Sequence, residues 1–156
     1  MTKIAIIRIA GEQGLVEKIK TTFKLLNLHK KYTCVLVPNT PQIEGMLKVI
    51  KDHVTWGEID KETLAQLLEK RGKLVGNKQL TNEYLQEKIK LDLNKFADEL
   101  FAESKQLKDV EGLKPFFRLM PPRKGFERKG TKKHFSVGGV LGYRKDKINE
   151  LIQRMI

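Results

Sequence analysis

Lys3–Ala10 reads KIAIIRIA, with four isoleucines in eight residues, and it is stopped by Gly11-Glu12-Gln13-Gly14. A short apolar run of this kind, closed by a glycine-containing break, predicts a buried strand. Working outward, Leu15–Asn27 places Val16, Ile19, Phe23 and Leu26 on one helical face. Thr33–Val37 (TCVLV) predicts a second strand, ended by Pro38. Thr40-Pro41 is a helix start: a hydroxyl at the N-cap, then a proline whose missing N–H costs nothing in the first turn. Ile43, Met46, Leu47 and Ile50 form the apolar face of that helix, and His53–Ile59 (HVTWGEI) predicts a third strand with Val54 and Trp56 on one side. The order βαβαβ in so short a stretch predicts an α+β fold in which one sheet carries the helices. Periodicity does not set the strand order.

Beyond this core the pattern becomes helical. Asp60 is placed to cap a helix with Leu64, Leu67 and Leu68 that ends at Gly72. Thr81 caps a short helix with Leu85 and Ile89, and a third helix carries Leu93, Phe96, Ala97, Leu100 and Phe101. Lys114–Met120 predicts a further strand, and its flanking prolines assign it to a sheet edge. Lys145–Ile156 closes the chain as a helix with Ile148, Leu151, Ile152 and Met155 in its buried stripe. The expected organisation is a βαβαβ core at 1–59, a helical insertion at 60–111, and an edge strand, basic loop and helix at 112–156, all in one integrated protein.

The 156 residues carry a formal charge of +12 and 40% hydrophobic residues, enough for a real core. The charge is uneven. Residues 112–156 hold twelve Lys/Arg against three Asp/Glu, whereas 60–111 hold ten against eleven. Such a balance favours nucleic acid or an anionic surface as partner. No apolar run approaches the roughly 20 residues that span a bilayer, so no membrane-spanning segment is expected, and nucleic acid rather than a membrane is the expected partner. The start has no signal-peptide pattern. Cys34 is the only cysteine, which excludes an intrachain disulfide and suits a reducing compartment.

Pro121–Arg144 reads PPRKGFERKGTKKHFSVGGVLGYR, with Arg123, Lys124, Arg128, Lys129, Lys132 and Lys133 against one acid, Glu127. It is either a solvated surface run or a loop that orders on a polyanion, RNA being the first candidate. Mutual repulsion and glycine entropy predict that about Arg123 to Gly139 is mobile in the free protein. Phe126 and Phe135 either stack on unpaired bases or anchor the loop. Gly138 and Gly139 permit close approach to a ligand or form a hinge. Gly11 and Gly14 lie where strand-to-helix N–H groups can hold a phosphate, or simply make a tight turn. His29, His53 and His134 have no metal-ligand spacing, and Cys34 lies in an apolar strand, so no metal, cofactor or catalytic group is expected. An acylphosphatase-like enzyme would need an arginine in the first loop, and Leu15-Val16-Glu17-Lys18 supplies none.

Four stretches carry a resemblance. They are Ile4–Ala10 with Gly11–Gly14; Asn39-Thr40-Pro41-Gln42-Ile43-Glu44-Gly45-Met46; Pro115–Leu119 with Pro121-Pro122-Arg123; and Gly138–Arg144 before the last helix. Together they resemble the large-subunit ribosomal protein L-thirty family in its archaeal form, similar to the eukaryotic L-seven proteins. Bacterial members resemble only 1–59, and the eukaryotic form carries a basic arm before the first strand that is not seen ahead of Lys3. The resemblance implies a ferredoxin-like core, a structural role in the large ribosomal subunit in the cytoplasm, and no catalysis or small-molecule substrate. It implies ribosomal RNA and neighbouring ribosomal proteins as partners, with 5S ribosomal RNA nearby. The expected RNA-binding set is Arg123, Lys124, Arg128, Lys129, Lys132, Lys133, His134, Gly138, Gly139, Arg144, Gly11 and Gly14. Two other classes remain open at this point: a non-ribosomal RNA-binding or ribosome-assembly factor, and an enzyme acting on phosphorylated or RNA substrates.

Overall fold

The computed structural model describes residues 3–156. Strands β1 (Lys3–Arg8), β2 (Thr33–Pro38), β3 (Val54–Glu58), β4 (Phe117–Arg118) and β5 (Gly142–Tyr143) form one sheet in the order β4-β2-β1-β3-β5. β1 is central and antiparallel to both β2 and β3, with Ile6 opposite Val35 on one side and Trp56 on the other. Helix α1 (Glu17–Leu25) joins the adjacent antiparallel strands β1 and β2, and α2 (Pro41–Ile50) is the crossover from β2 past β1 to β3. The result is an α+β fold with a ferredoxin-like core, as the sequence and its resemblance imply.

The alternation of side chains along β1 divides the core in two. Ile4 and Ile6 point toward α1 and α2, packing with Phe23, Leu26, Val35, Leu47 and Val54. Ala5, Ile7 and Ile9 point the other way, into a second cluster with Leu64, Leu67, Phe96, Leu100, Leu151 and Ile152. That cluster belongs to α3 (Lys61–Arg71), α5 (Leu93–Phe101) and α6 (Ile148–Met155), while Leu85 enters it from α4 (Asn82–Ile89). KIAIIRIA is apolar on both faces because β1 is covered on both faces.

Local chemistry explains most element ends. The Thr40 hydroxyl accepts from Ile43 N–H at 3.4 Å and Thr81 accepts from Tyr84 N–H at 3.4 Å, as their N-cap positions predict. Asp60 precedes α3, but its carboxylate makes no cap bond; its own N–H donates to Asn149 Oδ1 at 3.0 Å. The strand expected over Lys114–Met120 is corrected to Phe117–Arg118, with Pro115, which has no N–H to give a ladder, falling outside it. It does lie at the sheet edge, beside β2. β5 was not expected: it pairs parallel to β3, Thr55 with Gly142 and Trp56 with Tyr143. The closing helix begins later than Lys145, which opens a 3-10 turn over Lys145–Lys147. That turn crosses β3 so closely that a Cβ on Gly57 would overlap the Lys145 carbonyl.

Candidate nucleic-acid interface

The chain between β4 and β5 carries the basic run, and two arginines decide its shape. Arg144, directly after β5, is 2% exposed. Its Nε donates to Thr55 Oγ1 at 2.9 Å, its Nη2 to the Val140 carbonyl at 2.8 Å, and its Nη1 to Glu127 Oε1 at 2.8 Å. Its guanidinium also lies over the Phe135 ring, 4.6 Å from the centroid. Arg154 in α6 reaches Glu127 at 3.6 Å and donates to the Gly125 carbonyl at 3.1 Å. Burial raises the Glu127 pKa, but the hydrogen bond from Arg144, helped by a backbone bond and by the charges of Arg144 and Arg154, outweighs it. The carboxyl is therefore held below its ordinary value.

The loop's only acid is thus turned inward and paired. Arg123, Lys124, Arg128, Lys129, Lys132 and Lys133 are exposed, and none pairs with a carboxylate among the described residues. Six cations therefore face solvent without an internal partner.

The run is bonded to the rest of the fold at both ends. Arg123 N–H donates to the Arg154 carbonyl at 2.9 Å, and Gly125 N–H closes a turn on the Pro122 carbonyl at 3.0 Å. At the other end the Lys133 carbonyl accepts from Val140 and Leu141, at 2.9 and 3.0 Å, and Phe135 N–H donates to the Leu141 carbonyl at 2.8 Å. Phe126 packs against the core and lies 6.1 Å from Tyr32. Phe126 and Phe135 are both half-buried, so the geometry gives them the anchoring role. Charge counting missed this, because it treats Arg144 and Glu127 as surface charges when they form an internal clamp.

The glycines divide by environment. A Cβ on Gly139 would overlap the Lys133 carbonyl, so this glycine serves the loop's own closure. Gly138, at φ 91, ends the 3-10 turn Phe135–Val137 and stays exposed. Gly11 and Gly14 are exposed with open space about them.

Arg8, unremarked in the sequence, organises that first loop. It is 2% exposed and donates to the carbonyls of Ala10, Leu28, His29 and Gly11 at 2.7–3.0 Å. A lone arginine inside an isoleucine strand was the available signal, since a buried charge must satisfy its donors. The fold brings the two loops together: a cleft of about 760 Å³ is lined by Gly11–Gly14, Lys31, Asp52, His53, Thr131 and Lys132. His134 donates from Nε2 to Asp52 Oδ1 at 3.0 Å, tying the basic loop to the turn before β3. Gly11, Gly14 and Lys132 therefore share one concave face with Lys31. Arg144 lies inside the protein, its guanidinium engaged by its own chain.

Among the described residues no group of His, Cys, Asp or Glu is arranged to hold a metal ion, and no helix is long and apolar enough to cross a membrane. Cys34 is fully buried, and burial pushes its thiol up to about 12.

Comparison with known proteins bears on this face. Residues 4–54 match the family model described as ribosomal protein L30p/L7e. The large ribosomal subunit protein uL30 of Methanococcus vannielii is 47% identical over 152 residues, covering 97% of this chain and 98% of that protein. The uL30 protein of Nanoarchaeum equitans is 48% identical over 156 residues, covering all of both chains. That of Archaeoglobus fulgidus is 47% identical over 152 residues, covering 97% and 98%. Identity at this level over essentially the whole length includes the helical segment and the basic loop as well as the βαβαβ core, and it places the chain in the ribosomal protein L30p/L7e family.

Proposed function

We propose that the chain is a structural constituent of the large ribosomal subunit and binds ribosomal RNA through the basic loop and the cleft beside it. The observation that carries this reading is the set of six unpaired cations on a loop whose only acid is clamped inward. Phosphates would supply the missing counter-charges, and the exposed backbone of Gly11 and Gly14 admits a sugar–phosphate strand to the cleft wall. Arg123, Lys124, Arg128, Lys129, Lys132 and Lys133 are the contacting set, with Gly11, Gly14 and Gly138 offering backbone. His134, Gly139 and Arg144 hold the loop in shape. The helical segment 60–111 serves packing, and its near-zero net charge offers phosphate no attraction. The resemblance adds 5S ribosomal RNA and ribosomal proteins as neighbours. Membership of a ribosomal protein family supports a structural role without catalysis.

The test is the salt dependence of binding to isolated large-subunit RNA. Six neutralised phosphates give a slope of about −4 to −5 in log K against log salt. A slope near zero refutes the electrostatic reading. Stoichiometric sedimentation with large subunits separates a structural constituent from a transient assembly factor, which would leave mature particles.

A further inference from the structure

We propose that Trp56 and Tyr143 form a stacking platform for one unpaired base of the bound RNA, an inference that rests on the RNA-binding reading above. The two residues are register partners on the parallel strands β3 and β5, with ring centroids 6.4 Å apart and planes tilted by 32°. Both project to the face carrying α1 and α2, since Trp56 packs with Val54 and Ile4. That helical layer does not cover β5, so Tyr143 is 46% exposed. The ring is held in place by its hydroxyl, which donates to Glu58. The same bond pushes the phenol up to about 12.

A groove of about 420 Å³ opens against the pair, lined also by Leu47, Asn39, Lys48, Lys51 and the carboxylates Glu44 and Glu58, the latter engaged by the Tyr143 hydroxyl. Its volume admits a flat heterocycle with room for the sugar beside it. Lys48 and Lys51 pair with no carboxylate among the described residues and can take the flanking phosphates. Asn39 and Glu44 present amide and acceptor groups to a base edge, and the acceptor favours a base with an exocyclic amine.

The groove and the cleft are lined by neighbouring residues, Lys51 in one and Asp52 in the other. Lys51 is followed by Asp52, which accepts from His134. A strand that leaves Lys132 past His134 and Asp52 would meet Lys51, which lines the groove. An exposed aromatic with lysines beside it, adjoining a phosphate-binding surface, fits an unpaired nucleotide better than an apolar peptide.

Trp56 is the only tryptophan, so its fluorescence reports on the platform directly. The folded full chain is titrated with a short oligoadenylate and with large-subunit RNA, as wild type, Tyr143→Leu and Tyr143→Phe. Stacking predicts quenching of Trp56 by both RNAs. It predicts affinity for large-subunit RNA about 5- to 150-fold weaker in Tyr143→Leu, with the salt slope unchanged because no charge is removed. Tyr143→Phe keeps the ring and stays within about threefold of wild type. Unquenched Trp56, or wild-type affinity in Tyr143→Leu, overturns the platform while salt-dependent binding leaves the RNA reading standing. Loss of salt-dependent binding in the wild type overturns both. Ultraviolet crosslinking in assembled subunits provides a second readout. Attachment of Tyr143 to RNA supports the platform, and attachment to a neighbouring protein refutes it.

Discussion

Replacement of Arg144 by methionine should destabilise the protein far more than replacement of any cation at the loop tip. The side chain is 1% exposed and makes bonds to Thr55, Val140 and Glu127. Methionine fills much of the stem volume, so the cavity contribution is small. What remains is a carboxylate at Glu127, 22% exposed, with only Arg154 at 3.6 Å to compensate it. Removing one partner of a buried pair costs about 3–5 kcal/mol, and partial access of Glu127 to water argues for the lower half. The Val140 carbonyl loses its donor, at about 1–3 kcal/mol if it stays dry. A net loss of about 4–7 kcal/mol follows, which for a chain of this size lowers Tm by roughly 8–28 °C. Urea or guanidinium unfolding, with unchanged m, measures it. Arg144→Lys should recover little, because an ammonium cannot reach three acceptors in the planar fork geometry. The double variant Arg144→Met/Glu127→Leu should be less destabilised than the two single losses added together, by about 1–3 kcal/mol, because no unpaired charge is left behind. Additive single losses, or an Arg144→Met loss below about 1 kcal/mol, would show that the clamp is not what holds the loop.

Three further outcomes follow from the same structure. Glu127 has a depressed pKa, so its contribution is present above the ordinary carboxylate value of 4.5 and is lost as pH falls through its lower folded value; the stability gap between wild type and Glu127→Gln should shrink from pH 6 toward pH 3, and a widening gap refutes this. Glutamate at both Lys132 and Lys133 should weaken binding to large-subunit RNA while moving Tm by no more than about 2 °C, since exposed unpaired cations contribute little to the fold; a large fall in Tm would give the pair a structural role. Cys34, fully buried with its thiol pushed up to about 12, should react with a disulfide reagent only as fast as the chain unfolds, and rapid labelling of the native protein would contradict its burial.

The βαβαβ core was legible because its signals are local. Isoleucine runs, a proline stop and a Thr-Pro cap each act within a few residues of themselves, and β1, β2, α2 and β3 fall where those signals place them. β5 was not legible, because Gly142-Tyr143 becomes a strand only through Thr55 and Trp56, far away in sequence. The edge strand shrank to two residues for a similar reason: the apolar run Pro115–Met120 lacks the amide at Pro115 that a longer ladder would require. In the candidate interface, exposed lysines were found by counting charge, but Arg8 and Arg144 were not separable from them by that count. Burial of an arginine depends on acceptors that the fold delivers: carbonyls of Leu28 and His29 for Arg8, and Thr55, Val140 and Glu127 for Arg144. Neither set can be recognised before the strands are paired.

Those two arginines share a physical logic that bears on affinity. Each sits at a strand end, is almost fully buried, and donates to carbonyls of the loop beside it. Arg8 fixes the Gly11–Gly14 loop and Arg144 fixes the basic loop, so the two walls of the cleft between them are each held by an internal charge. A loop of six like charges left free would lose conformational entropy on meeting RNA, at about 1–2 kcal/mol for each backbone residue ordered. Anchoring its ends in the folded protein moves much of that cost from binding to folding, where the burial of Phe126, Phe135, Val140 and Leu141 helps offset it. On the proposed RNA-binding reading, the cations at the tip would then meet phosphate with little ordering left to do. Loosening the clamp should therefore weaken RNA binding without removing a single contacting cation, and it should do so with the salt slope nearly preserved, because that slope counts the phosphates neutralised rather than the order of the loop that neutralises them.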